Sequence, residues 1–492
     1  MRRLMVLMLV FVLLACQAVT ALPGLRSTPT PQPGLKSHDA PPRKAATPTP
    51  TIASSPQGDF SVRYHPDGGL YSGDWVSFEI IAPPGRINRE RSATVQVDSV
   101  EGALFGPAEF GRFGIAGRQQ ATLTWAWDTS DLAPGNYDLT FSIQPDGIQW
   151  TQTVTLLPES DLPDGQAGAR WAQAESDCCL LYYITGTEAE RDIAQLEAMA
   201  DDEAERVERA FQAELTKPVE LVLLPRVLGH GGFTESEISI SYLDRRYSGG
   251  DPAIVLRHEM VHYLDNSLGG ELRPTLLLEG LAVYLSGGHF KEEALLPRAA
   301  ALLELGWYQP LTELANDFYP SQHETGYLEA GALVEYMIER WGWEAFERFY
   351  RDIHPGPRGN NQADAIDAAL REHFEISFAE LEADFRQRLQ EQDYTPAQRE
   401  DVRLTVEFYD TVRRYQQALD PSAYYLTAWL PDGEKMRERG IVADYLRHPS
   451  APENVTLETL LVSADEHLRS GEYAEAEKLL EAMNGALDAL GK

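Results

Sequence analysis

Cysteine is nearly missing from this chain: three in 492 residues. That is too few for a disulfide scaffold or an all-thiolate zinc site, so any metal site must be built from histidine and carboxylate. Two of the three, Cys178 and Cys179, are adjacent, and neighbouring cysteines rarely bridge each other because the geometry strains the backbone. They precede Leu180-Leu181-Tyr182-Tyr183-Ile184 and are expected to be buried strand residues. Basic residues are scarce too, 42 Lys and Arg against 76 Asp and Glu, for a formal charge of −34. Such a balance excludes a nucleic-acid partner, which would need a basic face, and suits solubility outside the cell. The apolar run from Leu4 to Ala15 is too short to span a bilayer.

What is present divides the chain into five stretches. Residues 1–16 hold a basic Met1-Arg2-Arg3, the apolar run, and Leu13-Leu14-Ala15-Cys16. This resembles a bacterial lipoprotein signal, which implies cleavage before Cys16, lipidation of its thiol, and a membrane-anchored protein at the cell surface. Residues 17–58 are rich in Pro, Thr, Ser and Ala, cannot bury a core, and read as a disordered tether. Residues 59–158 carry short alternating runs (Val76, Phe78, Ile80; Leu123, Trp125, Trp127) separated by turn clusters, with a hairpin through Pro145-Asp146-Gly147. They predict an immunoglobulin-like β-sandwich without its usual disulfide and without clustered titratable residues, a spacer or a partner-binding module. Residues 165–393 predict an α+β domain: a strand over 180–185, a helix over 188–215, a strand over 219–224, and helices thereafter. Residues 397–492 are helical in pattern. Ala464, Leu468, Gly471, Tyr473, Ala476 and Leu480 resemble one tetratricopeptide helix pair, and a cap on the preceding domain or a protein-binding surface is the alternative.

The chemistry concentrates in residues 254–286. His258 and His262 are four apart, so on a helix both imidazoles leave one face and can close on one Zn²⁺. Glu259 sits beside the first without being a ligand. Gly269-Gly270 stops that helix, and a second, starting at Pro274, carries Glu279 within the apolar Leu276, Leu277, Leu281 and Ala282. A carboxylate there is unfavourable unless paired or metal-bound. Three ligands leave a fourth position for water, as a catalytic zinc needs.

HEMVH followed by LLLEGLAVY resembles the gluzincin metallopeptidases, the peptidase MA-like group, over about residues 165 to 393. The resemblance implies a thermolysin-like catalytic domain with one Zn²⁺ on His258, His262 and Glu279 and with Glu259 as general base. It also implies a peptide or protein substrate. Tyr327, in Tyr327-Leu328-Glu329-Ala330-Gly331-Ala332, matches the tyrosine that such enzymes place over the site as oxyanion donor; His323 is the alternative donor. The strand Ile238 to Tyr242 matches the exposed edge that pairs with substrate, and His230 reads as a loop residue. An endopeptidase is expected, since the strand that anchors a free amino terminus in aminopeptidase relatives is absent, although Glu235 and Glu237 could supply an anchor. Asn266 and Val283 stand where thermolysin-like enzymes have aspartates, so support for the ligands must come from elsewhere. The rival reading is a catalytically inactive peptidase fold that binds partners.

Overall fold

The computed structural model describes residues 53–54, 60–83, 90–113, 118–226, 231–243, 245–319, 323–356, 361–420, 433–447 and 451–490. Cys16 with the signal segment, most of the tether, and His230 lie outside the described residues.

Sheets occupy the N-terminal part and helices the C-terminal half. Ten strands come first: β1 (Ala53–Ser54), β2 (Ser61–His65), β3 (Leu70–Tyr71), β4 (Trp75–Ile81), β5 (Ser92–Val97), β6 (Leu104–Glu109), β7 (Gly111–Phe113), β8 (Arg118–Asp128), β9 (Gly135–Gln144) and β10 (Ile148–Leu157). They form two five-stranded sheets, β1-β2-β4-β8-β7 and β3-β10-β9-β5-β6. The expected hairpin is β9–β10, antiparallel with Ile143 opposite Ile148. Val76, Phe78 and Ile80 from one sheet meet Val95, Leu139 and Phe141 from the other in one core, as the period-2 alternation requires. β1 pairs with β2, so the stretch expected to be a tether contributes a paired strand.

Two features of this region depart from expectation. Titratable side chains do cluster in it: Glu79 and His65 are buried and paired at 3.2 Å, and Arg118 and Gln120 each donate to Glu79 at 2.8 Å. Burial alone would raise the Glu79 pKa, but the His65 hydrogen bond and the neighbouring positive charges outweigh it and bring it down to about 2. Trp125, expected to alternate with Leu123 and Trp127, instead adopts φ +45° and leaves their core. It packs with Ile184, Val222, Met436 and Tyr445, and its indole donates to Asp444 at 3.0 Å.

The third sheet runs β11-β12-β13-β15-β14, from β11 (Trp171–Glu175), β12 (Cys179–Ile184), β13 (Val219–Leu224), β14 (Gly232–Thr234) and β15 (Ile238–Ser241). Here Cys178 and Cys179 are bridged, contrary to expectation. Cys178 lies in the bend that enters β12, not in the extended strand, so the two side chains need not point to opposite faces. Both are buried, as expected. The helix foreseen over 188–215 is interrupted at Asp192, giving α1 (Glu188–Arg191) and α2 (Ile193–Phe211), and it stops where Gln212 turns left-handed.

The helical half holds α3 (Pro252–Leu268), α4 (Thr275–Ser286), α5 (Leu295–Leu305), α6 (Leu311–Asn316), α7 (His323–Trp341), α8 (Trp343–Arg351), α9 (Gln362–Phe374) and α10 (Phe378–Gln390). Two helices share the stretch 295–316: Gly306 at φ +77° ends α5, and Pro310 precedes α6. A Ser377/Glu380 capping box opens α10. Then follow α11 (Pro396–Leu419), α12 (Gly433–Glu438), α13 (Ala443–Leu446), α14 (Pro452–Arg469) and α15 (Tyr473–Ala489). α11, α14 and α15 share a core through Leu404, Phe408, Leu461, Leu468, Leu480 and Met483, which also takes in Tyr247 and Phe290. The last helix pair thus caps the preceding helices. Among the described residues no helix is long and apolar enough to cross a membrane.

Candidate metal centre

Asp251 caps α3 by accepting from Ala253 N, and Pro252 stands at its first turn, a strong start signal. Arg257 then fixes the helix from within: it donates to Glu203 of α2 at 2.5 Å, to the Ser286 carbonyl at 2.8 Å and to Glu292 at 2.9 Å. Its neighbour on the helix, His258, and His262 one turn on face α4, where Glu279 is turned inward. Pro274 is the cap of α4 and not its first helical residue.

The three ligand candidates meet. Nε2 of His258 and Nε2 of His262 are 3.0 Å apart, and each is 3.3 Å from Glu279 Oε2. A tetrahedral zinc with bonds near 2.05 Å has donor–donor edges of about 3.3 Å. The triangle therefore has the dimensions of one face of such a site, and among the described residues no other group of His, Cys, Asp and Glu converges in this way. Burial and charge agree with that chemistry. Burial lowers the His258 pKa. At His262 burial pulls the same way, but the Glu279 carboxylate prevails and pushes its pKa up to about 9. Burial would raise Glu279, yet the imidazoles hold it well below the usual carboxylate range. The imidazoles thus keep the carboxylate ionised, the form in which it can accept hydrogen bonds or bind a cation.

Glu259 is buried and its Oε2 accepts from Thr234 Oγ1 at 2.7 Å. Thr234 belongs to β14, which places that strand over Glu259. Gly232 explains the closeness: a Cβ there would come within 2.6 Å of Glu259 Oε1. The sheet edge beside the site is therefore β14. The strand foreseen as that edge, Ile238 to Tyr242, forms β15 and is buried between β13 and β14. The edge strand is only three residues long and opens on Gly232, so no alternation marks it. Of the two carboxylates considered as an amine anchor, Glu237 is engaged by Arg437 at 2.7 Å and Glu235 is exposed.

Tyr327 comes to the centre through α7. A Cβ on Gly280 would lie 2.4 Å from the Ala330 carbonyl oxygen, so glycine lets α4 and α7 touch backbone to side. The Tyr327 ring then lies 6.2 Å from that of His258, stacked on His289 at 4.4 Å with 11° between planes. His289 in turn bonds Glu324 at 2.6 Å. His323 packs on Tyr327 at 4.9 Å, and its Nδ1 accepts from Arg413 of α11 at 2.9 Å. A residue the sequence did not single out is Tyr319, whose hydroxyl donates to Glu279 Oε1 at 2.9 Å. Burial raises the Tyr327 pKa above its ordinary value; at Tyr319, whose ring is largely exposed, desolvation of the hydroxyl and the Glu279 carboxylate raise it, so both remain hydrogen-bond donors. Nothing in the motif marked Tyr319; only its place just past α6, before a segment leading to α7, could have suggested it.

Support for the ligands is uneven. Asp265 is fully buried but pairs with Arg351 at 2.7 Å, Arg273 at 3.2 Å and Tyr350 at 3.1 Å, and Asn266 also meets Arg273. These bonds clamp the end of α3 and do not reach the ligands. His262 Nδ1 is buried and makes no hydrogen bond with the described residues. Val283 packs against Gly331. No protein-family model matches this chain, and no curated protein is similar to it.

Proposed function

We propose that the protein is a zinc-dependent peptidase of the gluzincin type, an endopeptidase acting outside the cell. The observation carrying this reading is the donor triangle of 3.0, 3.3 and 3.3 Å with a buried glutamate on the same helix turn. His258, His262 and Glu279 would hold Zn²⁺, which when bound supplies Lewis acidity and makes water a nucleophile near neutral pH. Glu259, oriented by Thr234, takes the proton of the attacking water and delivers it to the leaving amine. Tyr327, with Tyr319 and His323 beside it, donates to the oxygen that gains charge in the transition state. β14, at the sheet edge, is suited to align an extended peptide by strand addition. The loss of Glu237 to Arg437 speaks for an endopeptidase over an aminopeptidase.

In this reading residues 165–393 form the thermolysin-like domain, and residues 59–158, with strands β2 to β10, are an immunoglobulin-like sandwich. Cys16 would carry the lipid that anchors the protein at an outer membrane face, with residues 17 to about 52 as tether. The test compares wild type with Glu259→Gln on a protein substrate, with and without a chelator. Cleavage only by the untreated wild type is the expected result. Equal behaviour of all four samples would instead favour a catalytically inactive fold that binds partners.

A further inference from the structure

The two oxygens of Glu279 have different partners. Oε2 lies 3.3 Å from Nε2 of His258 and 3.3 Å from Nε2 of His262, while Oε1 accepts from the Tyr319 hydroxyl at 2.9 Å. A carboxylate can hold a metal through one oxygen or through both, and the second mode uses up a coordination position. Here one oxygen faces the imidazoles and the other already has a donor.

Tyr319 owes its place to its neighbour. Phe318 is buried in the core that also holds Leu281 and Val283 of α4, and its ring meets those of Tyr327 at 5.1 Å and Tyr319 at 5.7 Å, edge-on to both. The Tyr319 ring is left 66 % exposed, yet its hydroxyl turns inward onto an acid that is 6 % exposed. An exposed phenol can satisfy its hydroxyl with water, so Tyr319 does not need this bond, whereas a buried carboxylate gains from it. Other polar groups near the ligands offer no such support. Asp265 and Asn266 engage arginines, and His262 Nδ1 makes no hydrogen bond with the described residues. Carboxylates that bind metals are themselves hydrogen-bonded from outside, and losing such a partner lowers metal affinity by about 10–100-fold.

We propose that Tyr319 is a positioning residue for the metal centre: by holding Oε1 it makes Glu279 a ligand through Oε2 alone and keeps a coordination position open. The inference rests on the metal-binding part of the peptidase reading and not on hydrolysis, so its test reads metal affinity. Full-length, metal-free wild type, Tyr319→Phe and Tyr327→Phe are titrated with Zn²⁺ against a chromophoric chelator. Their Co²⁺ forms are compared by visible absorption, whose intensity falls as the metal gains ligands. Tyr319→Phe is expected to bind zinc about 10–100-fold more weakly and to give a weaker cobalt spectrum. Its metal-free melting curve should match wild type, because the exposed ring is retained. Tyr327→Phe, which loses a phenol on the other side of Phe318, is expected to keep the wild-type zinc affinity. A zinc affinity or a cobalt spectrum unchanged in Tyr319→Phe overturns the proposal, as does an equal loss of affinity in Tyr327→Phe. Failure of wild type to take up zinc removes the proposal together with the metal centre. Tyr319-dependent zinc binding without cleavage of a protein substrate upholds it and removes the peptidase reading.

Discussion

Two buried histidine–glutamate groupings in this molecule look alike in composition and differ in how they are satisfied. In the N-terminal sheets, Glu79 receives His65, Arg118 and Gln120 at 2.8–3.2 Å, so the carboxylate is surrounded by donors from the protein itself. In the helical half, Glu279 faces two imidazoles whose nearest polar atoms are each other, and only Tyr319 adds a donor. The first is a closed network, which rigidifies a fold. The second gathers lone pairs onto one point, which a network would avoid and a metal requires. Residue identity does not separate the two; the direction of the donors does.

On the proposed mechanism the largest effect comes from Glu259. Glu259→Gln keeps the ligand triangle and removes the proton acceptor, and kcat on a peptide substrate should fall by about 10²–10⁴-fold with metal content unchanged. No change in kcat with metal bound would dismiss Glu259 from the chemistry. Tyr327→Phe should lower kcat by about a hundredfold and KM little, and Tyr319→Phe less, since Tyr319 is already engaged by Glu279. The reverse order in steady-state kinetics would make Tyr319 the oxyanion donor.

Stability sharpens the contrast further. Zinc at about a thousand times its dissociation constant should stabilise the protein by about 4 kcal/mol, seen as a rise in Tm that His262→Ala removes. The Glu79 network should not respond to metal but to acid. Its folded pKa near 2 lies below the ordinary value of 4.5, so its contribution is present above pH 4.5 and lost as pH falls through 2. The difference amounts to about 3 kcal/mol. Glu79→Gln should flatten that window in a Tm-against-pH series; an unchanged slope would mean that the pairing does not govern acid stability.

Much of the site was legible because helical period and a short loop are local. His258, Glu259 and His262 follow from 3.6 residues per turn, and Glu279 from a carboxylate in an apolar run. The edge strand was misplaced because β14 is three residues long and opens on glycine, which alternation cannot detect. The Cys178–Cys179 bridge was rejected on a general rule that the bend ahead of β12 escapes. Glu79 looked like a solvent-facing strand residue, since nothing in its neighbourhood of sequence announces His65 or Arg118 as partners.

By itself, the sequence determined which side chains could hold a metal and on which helices they ride, for these depend on spacing within a few turns. Only the tertiary structure decided what surrounds them: Tyr319 on Glu279, β14 over Glu259, and Arg413 of a distant helix against His323. Such partners are separated by tens of residues along the chain. Their meeting depends on how helices and sheet pack, which no local period encodes.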